Sequence, residues 1–191
     1  MPLPLPDLIL ASTSPRRAML LEQDGYVFTT LAADIEEISD GRMDPITLCT
    51  ENARRKAKHI ARHHIESLVL GCDTIVCVDA AVLGKPADRN QAHAYIDRLQ
   101  GRSHAVISGV ALICLQRSID VLFHVSTQVN FLPLSAEAID NYLDCIRFED
   151  KAGAYAAQDH GDMIIESIQG SFSNVVGLPM EQLRVELDRL R

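Results

Sequence analysis

Leu68-Val69-Leu70-Gly71-Cys72-Asp73-Thr74-Ile75-Val76-Cys77-Val78 is a nearly continuous apolar run, and it reads as a strand buried on both faces. Helix patterns stand on either side of it. Before it, Asp44-Pro45 supplies an N-cap and a first helical position, followed by Ile46, Cys49, Ala53, Ala57 and Ile60 at spacings of three and four. After it, Asp88 to Gln100 predicts a helix with Ala92, Ile96 and Leu99 inward and Gly101 as the stop signal. Further out, Leu8-Ile9-Leu10-Ala11 is a short strand that leads into a helical run through Met19, Leu20 and Leu21, and Tyr26 to Ala33 reads as a second strand. Ala105 to Leu115 and Val121 to Leu132 are long β-rich runs whose short polar link predicts antiparallel pairing. Ser135 caps a helix, Met163 to Ile168 is a strand, and Pro179 starts a last helix. The pattern predicts an α/β fold, a mixed sheet flanked by helices. No repeat or linker divides residues 1–191, so a single domain is expected, with the hairpin and the Ser135 helix forming a second lobe.

The formal charge is −8, and an acidic surface of that size disfavours nucleic acid and anionic membranes as partners. No run is long enough to span a bilayer. The segment Met1-Pro2-Leu3-Pro4-Leu5-Pro6-Asp7 has no basic leader and is broken by prolines, so no signal peptide is expected there. Cys49, Cys72, Cys77, Cys114 and Cys145 are odd in number, form no C-x-x-C and lie mostly in apolar runs. They read as buried free thiols in a reducing, cytoplasmic compartment. His63-His64 reads as solvated, and the histidines form no metal-binding pattern.

An acidic chain that binds a polyanion must concentrate positive charge locally. Ser12-Thr13-Ser14-Pro15-Arg16-Arg17 does so at a helix start, with Ser14 as N-cap and Pro15 at the first position. The helix dipole disfavours cations there unless an anion sits on the free N–H groups, so hydroxyls, N–H groups and two guanidinium forks read as a phosphate cradle. The competing reading is two solvated surface arginines. Asp73 is a carboxylate inside an apolar run, expensive unless paired or metal-bound, and a candidate general base or Mg²⁺ ligand. The alternative is an aspartate bonded to nearby backbone N–H groups. Lys85, between Gly84 and Pro86, is a phosphate ligand on a rigid turn or a solvated turn lysine. Glu36-Glu37 is a solvated pair or, near phosphates, a metal-binding one. Residues 148–161 read as a functional loop, in which Asp150 to Tyr155 and Gln158 offer groups suited to reading a base.

Six motifs occur in order: Ser-x-Ser-Pro-Arg-Arg, Gly-x-Asp-Thr, Gly-Lys-Pro, Leu-x-Gly-Arg-x-His, Asp-Lys-Ala-Gly-Ala-Tyr and Gly-Ser-x-x-Asn-Val-Val-Gly-Leu-Pro. Together they resemble the Maf family of nucleoside triphosphate pyrophosphatases from about residue 8 to the final helix. The resemblance implies two lobes with a central cleft, as in inosine triphosphatases. It also implies hydrolysis of a nucleoside triphosphate to monophosphate and pyrophosphate with a divalent cation, Mg²⁺ or Mn²⁺, in a house-cleaning role. A homodimer would fit it. On its motifs Asp73 is the proton acceptor, Ser12, Ser14, Arg16, Arg17, Lys56 and Lys85 bind substrate, and Asp73 with Glu37 faces the metal. Arg16, Thr74 and Gln158 match the selectivity residues of the subgroup similar to dTTP/UTP pyrophosphatases. CTP or a modified nucleotide such as 7-methyl-GTP is the alternative substrate, and a non-catalytic nucleotide sensor the alternative function. Three positions depart from the pattern: Thr13 stands where Gly is usual, Arg55 where Glu is common, and Asp159-His160 follows Gln158 where Gly is usual.

Overall fold

A computed structural model of the chain describes residues 5–39, 41–79 and 81–191. Met1 to Pro4, in the stretch where no signal peptide is expected, and Asp40 of the Ser39-Asp40-Gly41 loop lie outside the described residues. In chain order the elements are β1 (Leu8–Leu10), α1 (Pro15–Gln23), β2 (Phe28–Thr30), α2 (Pro45–Ala61), β3 (Leu68–Val78), β4 (Ala81–Leu83), α3 (Arg89–Leu99), β5 (Ser103–Cys114), β6 (Ile119–Phe131) and α4 (Ala136–Cys145). Two short 3₁₀ turns follow, Ala152–Ala154 and Gly161–Met163, then β7 (Ile165–Gln169), α5 (Phe172–Val176) and α6 (Met180–Arg189). The second strand is shorter than Tyr26 to Ala33. Met163 lies in a 3₁₀ turn rather than in the strand expected from it, because the chain bends there through His160, a left-handed residue at φ 56°.

The seven strands form one mixed sheet in the order β2-β1-β3-β5-β6-β7, with β4 also on β3. β1 runs parallel to β2 and β3, and the other pairings are antiparallel. β5 pairs with β3 along nearly its whole length. On the other edge of β3, β1 covers residues 68–70 and β4 covers 76–78, which leaves 71–75 without a strand partner. That gap divides the molecule. On one face of the sheet, Leu68, Leu70 and Cys72 pack with Leu21 of α1 and Met180, Leu183 and Leu187 of α6. Past the gap, Val76 and Val78 pack with Ala92, Ile96 and Leu99 of α3 and Ile139 and Leu143 of α4. Two apolar cores on one sheet, with a break between them, form the two lobes. Burying each such leucine or isoleucine stabilises by roughly 1.5–3 kcal/mol.

The opposite face of β3 and β5 carries α2. The side chain of Asp44 caps it, accepting from Ile46 N (3.1 Å) and Thr47 N (3.0 Å). Cys49, Ala53, Ala57 and Ile60 are buried as expected, but Ile46 is exposed and Leu48 takes its inward place. The helix presses unusually close to the sheet. A Cβ on Gly71 would lie 2.2 Å from the Ala53 carbonyl oxygen, and one on Gly109 would lie 2.5 Å from the Cys49 backbone. Only glycine allows this approach. What Gly71 admits is therefore helix backbone rather than a ligand.

His104, at the start of β5, ties the loop after α4 to the sheet. It is buried, exchanges a hydrogen bond with the Tyr155 hydroxyl (2.8 Å), and packs edge-on against Phe131. Burial holds its pKa down at about 4, against an ordinary value near 6.5. Between those values the unfolded chain binds a proton that the folded one refuses. Stability therefore falls as pH drops from about 6.5 to about 4, by up to about 3 kcal/mol. Urea midpoints measured across that range should show the loss in the wild type and a flatter profile in His104→Gln. An unchanged slope in the variant would remove His104 as the cause.

Candidate active site

The break in β3's edge opens into a cleft of about 780 Å³, lined from both lobes. From the β1 side come Ser12, Ser14, Arg16 and Arg17. From β3 come Asp73 and Thr74, from the turn after β4 Lys85, from α2 Lys56, from the preceding loop Glu37, and from the late loop Gln158. All of these, though not Glu36, the other half of the acidic pair, line one cavity. Its described residues carry five cationic side chains (Arg16, Arg17, Lys56, Lys85, Lys151) and three carboxylates (Glu37, Asp73, Asp150), an excess of positive charge in a chain of formal charge −8.

Ser14 is the N-cap residue of α1, yet its side chain makes no capping bond; its own N–H donates instead to Ser12 Oγ (3.2 Å). Ser14 thus takes the N-cap position the sequence implied, with Pro15 at the first helical position, but its side chain does not partner the first turn of α1. Arg17 is buried. It donates from Nε to the Gly177 carbonyl (2.9 Å), from one terminal nitrogen to Ser12 Oγ (3.0 Å) and from the other to Thr74 Oγ1 (3.2 Å). The second hydrogen on each terminal nitrogen is not used in these bonds. Thr74 is the single residue of β3 that is not fully buried, and its hydroxyl is shared among Arg17, Ser108 (2.8 Å) and the Gly177 carbonyl (3.2 Å). Arg16 is less buried and pairs with the Asp150 carboxylate, while its other terminal nitrogen donates to the Asp150 carbonyl (3.1 Å). Burial pushes the Asp150 carboxyl up, but hydrogen bonds from Lys151 and Arg16 outweigh it and hold the group below the usual carboxylate range.

On the opposite side of the gap, the Gly84 carbonyl accepts from Gly153 N (3.0 Å), which ties the Gly-Lys-Pro turn to the late loop. Lys85 itself is exposed. At the floor, Lys56 Nζ lies 2.7 Å from Asp73 Oδ1 and 2.6 Å from Glu37 Oε1. Asp73 is buried, as is Lys56; Glu37 is about half exposed. Burial pushes Glu37 up, yet the hydrogen bond and charge of Lys56, with Lys85 and Arg17 beyond, leave its carboxyl below the usual range. Neither the bonded-to-backbone reading of Asp73 nor the solvated reading of Glu37 describes this arrangement.

No cluster of three or more His, Cys, Asp or Glu suited to a metal ion occurs among the described residues. The pair Asp73 and Glu37 nonetheless has the right chemistry for Mg²⁺ or Mn²⁺. Hard oxygen donors suit those ions, and Mg²⁺ in phosphate-transfer sites is commonly held by one or two carboxylates plus substrate oxygens. The cysteines offer no alternative nucleophile. Cys49, Cys72, Cys77 and Cys114 are buried and Cys145 is exposed. Burial pushes the Cys49 thiol up to about 12 and Cys77 to about 11.

Two side chains and one backbone carbonyl contribute beyond the residues named as candidate site residues. Asn52 is buried in α2, one turn before Lys56, and donates to the Ile38 carbonyl (3.1 Å) and toward Asp73 Oδ2 (3.4 Å). Its signal was present: Asn52 and Lys56 interrupt the apolar stripe of α2 four residues apart. Ser108 had none, since a sheet register brings it to Thr74, whereas Gly177 stands in the Gly-Ser-x-x-Asn-Val-Val-Gly-Leu-Pro motif, at the end of α5, where its carbonyl meets Thr74.

The model of the Maf-like protein family matches residues 7–190. The dTTP/UTP pyrophosphatase of Symbiobacterium thermophilum is 44% identical over 175 residues, covering 92% of this chain and 89% of that protein. That of Akkermansia muciniphila is 40% identical over 181 residues, 94% of each. A solved nucleoside-triphosphatase / dITP/XTP pyrophosphatase from Mycobacterium abscessus gives a TM-score of 0.46 at 14% identity, covering 95% of this chain and 94% of that one. With the match running almost from end to end and six ordered motifs contributing to the two lobes and the cleft between them, the chain belongs to the Maf family.

Proposed function

We propose that this protein hydrolyses pyrimidine nucleoside triphosphates, dTTP and UTP, to the monophosphate and pyrophosphate. The observation that carries the reading is the cation-rich cleft with a buried carboxylate at its floor, in an otherwise acidic protein. A polyphosphate is the small-molecule ligand that such a concentration of guanidinium and ammonium groups selects. The names of the relatives support the same substrates.

In this reading Arg16, Arg17 and Lys85 grip the phosphates, with Ser12 and Ser14 lining the start of α1. Asp73 takes a proton from the attacking water or orients it. Arg17 is already fixed by three protein acceptors, so it meets developing charge without reorganising. A divalent cation held by Asp73 and Glu37 would neutralise phosphate charge, as in phosphoryl transfer generally. Gln158, in the late loop, reads the base. Thr74 contributes to selectivity by holding Arg17, since its hydroxyl is already engaged. Four buried free thiols support a reducing, cytoplasmic setting, and no helix among the described residues is long and apolar enough to cross a membrane.

The test is incubation with dTTP, UTP, CTP and 7-methyl-GTP plus Mg²⁺ or Mn²⁺, with the products identified. Pyrophosphate and monophosphate from dTTP and UTP are expected. Inorganic phosphate with diphosphate would assign a phosphatase, and binding without turnover under either metal would assign a sensor. Running the reaction in ¹⁸O-water then tells whether the α or β phosphorus is attacked, from which product carries the label.

A further inference from the structure

We infer that Lys56 serves as the resident cation of the Asp73–Glu37 pair, so that a divalent ion joins the site together with the triphosphate and not ahead of it. This rests on the reading of Asp73 and Glu37 given above.

The Lys56 ammonium bonds a carboxylate oxygen of each residue, at 2.7 and 2.6 Å. It reaches them from α2, which the glycines at 71 and 109 press onto the sheet, and it is itself buried, so it cannot swing aside into water without giving up its packing. Two carboxylates sharing one ammonium retain a single net negative charge. Around them Arg16, Arg17, Lys85 and Lys151 add four positive charges against one negative charge from Asp150. A free divalent ion approaching this cleft meets a repulsive field and a carboxylate pair that is already neutralised in part. A triphosphate reverses the balance: its charge engages the arginines and Lys85, and it brings its own oxygens to complete the ion's coordination. Lys56 therefore keeps two close acids together before substrate arrives, and couples metal occupancy to nucleotide occupancy.

Manganese binding by the full chain, followed by electron paramagnetic resonance of free Mn²⁺, tests this without turnover. The wild type alone should bind Mn²⁺ weakly, and should retain it much more tightly in the presence of α,β-imido-dTTP. Lys56→Met should bind Mn²⁺ without nucleotide about tenfold or more tightly than the wild type, since it removes the competing charge at hydrogen-bond range. Lys56→Arg, which keeps the charge, should stay weak. Tight Mn²⁺ binding by the wild type alone overturns the inference, and this measurement needs no variant. So does a Lys56→Met protein that melts like the wild type but gains no affinity. If Lys56→Met does not fold, the comparison of the wild type with and without the imido nucleotide decides. Failure of the functional reading looks different: the imido nucleotide would then not bind at all, by calorimetry with or without Mn²⁺.

Discussion

Asp73→Asn is expected to lower dTTP and UTP turnover by about a thousandfold or more while leaving the fold in place. Removing a general base commonly costs 10²–10⁴-fold, and a thousandfold corresponds to about 4 kcal/mol of barrier. The substitution also removes one of the two acids proposed to face the metal, which places the effect at the upper end. The fold should tolerate it. Asparagine has the same shape, its carbonyl oxygen can still accept from Lys56 Nζ, and Glu37 remains as a charged partner for that ammonium. The contact from Asn52 is long at 3.4 Å, so its loss should cost no more than about 1 kcal/mol. Calorimetric binding of α,β-imido-dTTP should persist, because the phosphate-gripping cations are untouched. A variant that released pyrophosphate at the wild-type rate would end the role proposed for Asp73.

Gly71→Ala should destabilise the fold strongly for the addition of a single methyl group. The new carbon would stand 2.2 Å from the Ala53 carbonyl oxygen and 2.9 Å from both the backbone nitrogen and the Cβ of Ala57. The oxygen and the nitrogen belong to helix backbone, so no rotamer change can relieve the clash; α2 must lift away from β3 and β5. Overpacking of cores ordinarily costs 1–3 kcal/mol, and a backbone collision places this one at about 3 kcal/mol or beyond. Urea unfolding should show it as a lower midpoint. Gly41→Ala is the control, since a Cβ there would meet nothing within 4 Å and the backbone φ is ordinary. Activity should fall as well, because lifting α2 carries Lys56 and Asn52 off Asp73. Equal unfolding midpoints for the wild type and Gly71→Ala would show that the helix does not depend on that close approach.

Periodicity and turn chemistry are local, and they were legible in the chain. Leu68 to Val78 is the observed strand, Asp44 is the helix cap the sequence implied, the helix expected over Asp88 to Gln100 runs Arg89–Leu99, and the hairpin of β5 and β6 pairs antiparallel. Arg16, Arg17 and Asp73 were legible as candidates too, as charges in costly places, whereas Lys56 and Thr74 were named only through the family resemblance. Local signals failed where distant contacts decide. The resemblance matches Thr74 to a selectivity residue, but its hydroxyl is engaged by partners 34 to 103 positions away, Arg17 among them.

From its sequence alone, this protein's element types, the α/β class and the identity of the charged residues follow, because each depends on neighbours a few positions apart. The tertiary structure alone decided that β1 and β4 share one edge of β3 with a gap between them, and that the gap is the cleft. It alone decided that Lys56 sits between Asp73 and Glu37. Strand order and helix–sheet distance are set by which apolar faces bury together and by where two glycines admit a helix, and no local pattern encodes either.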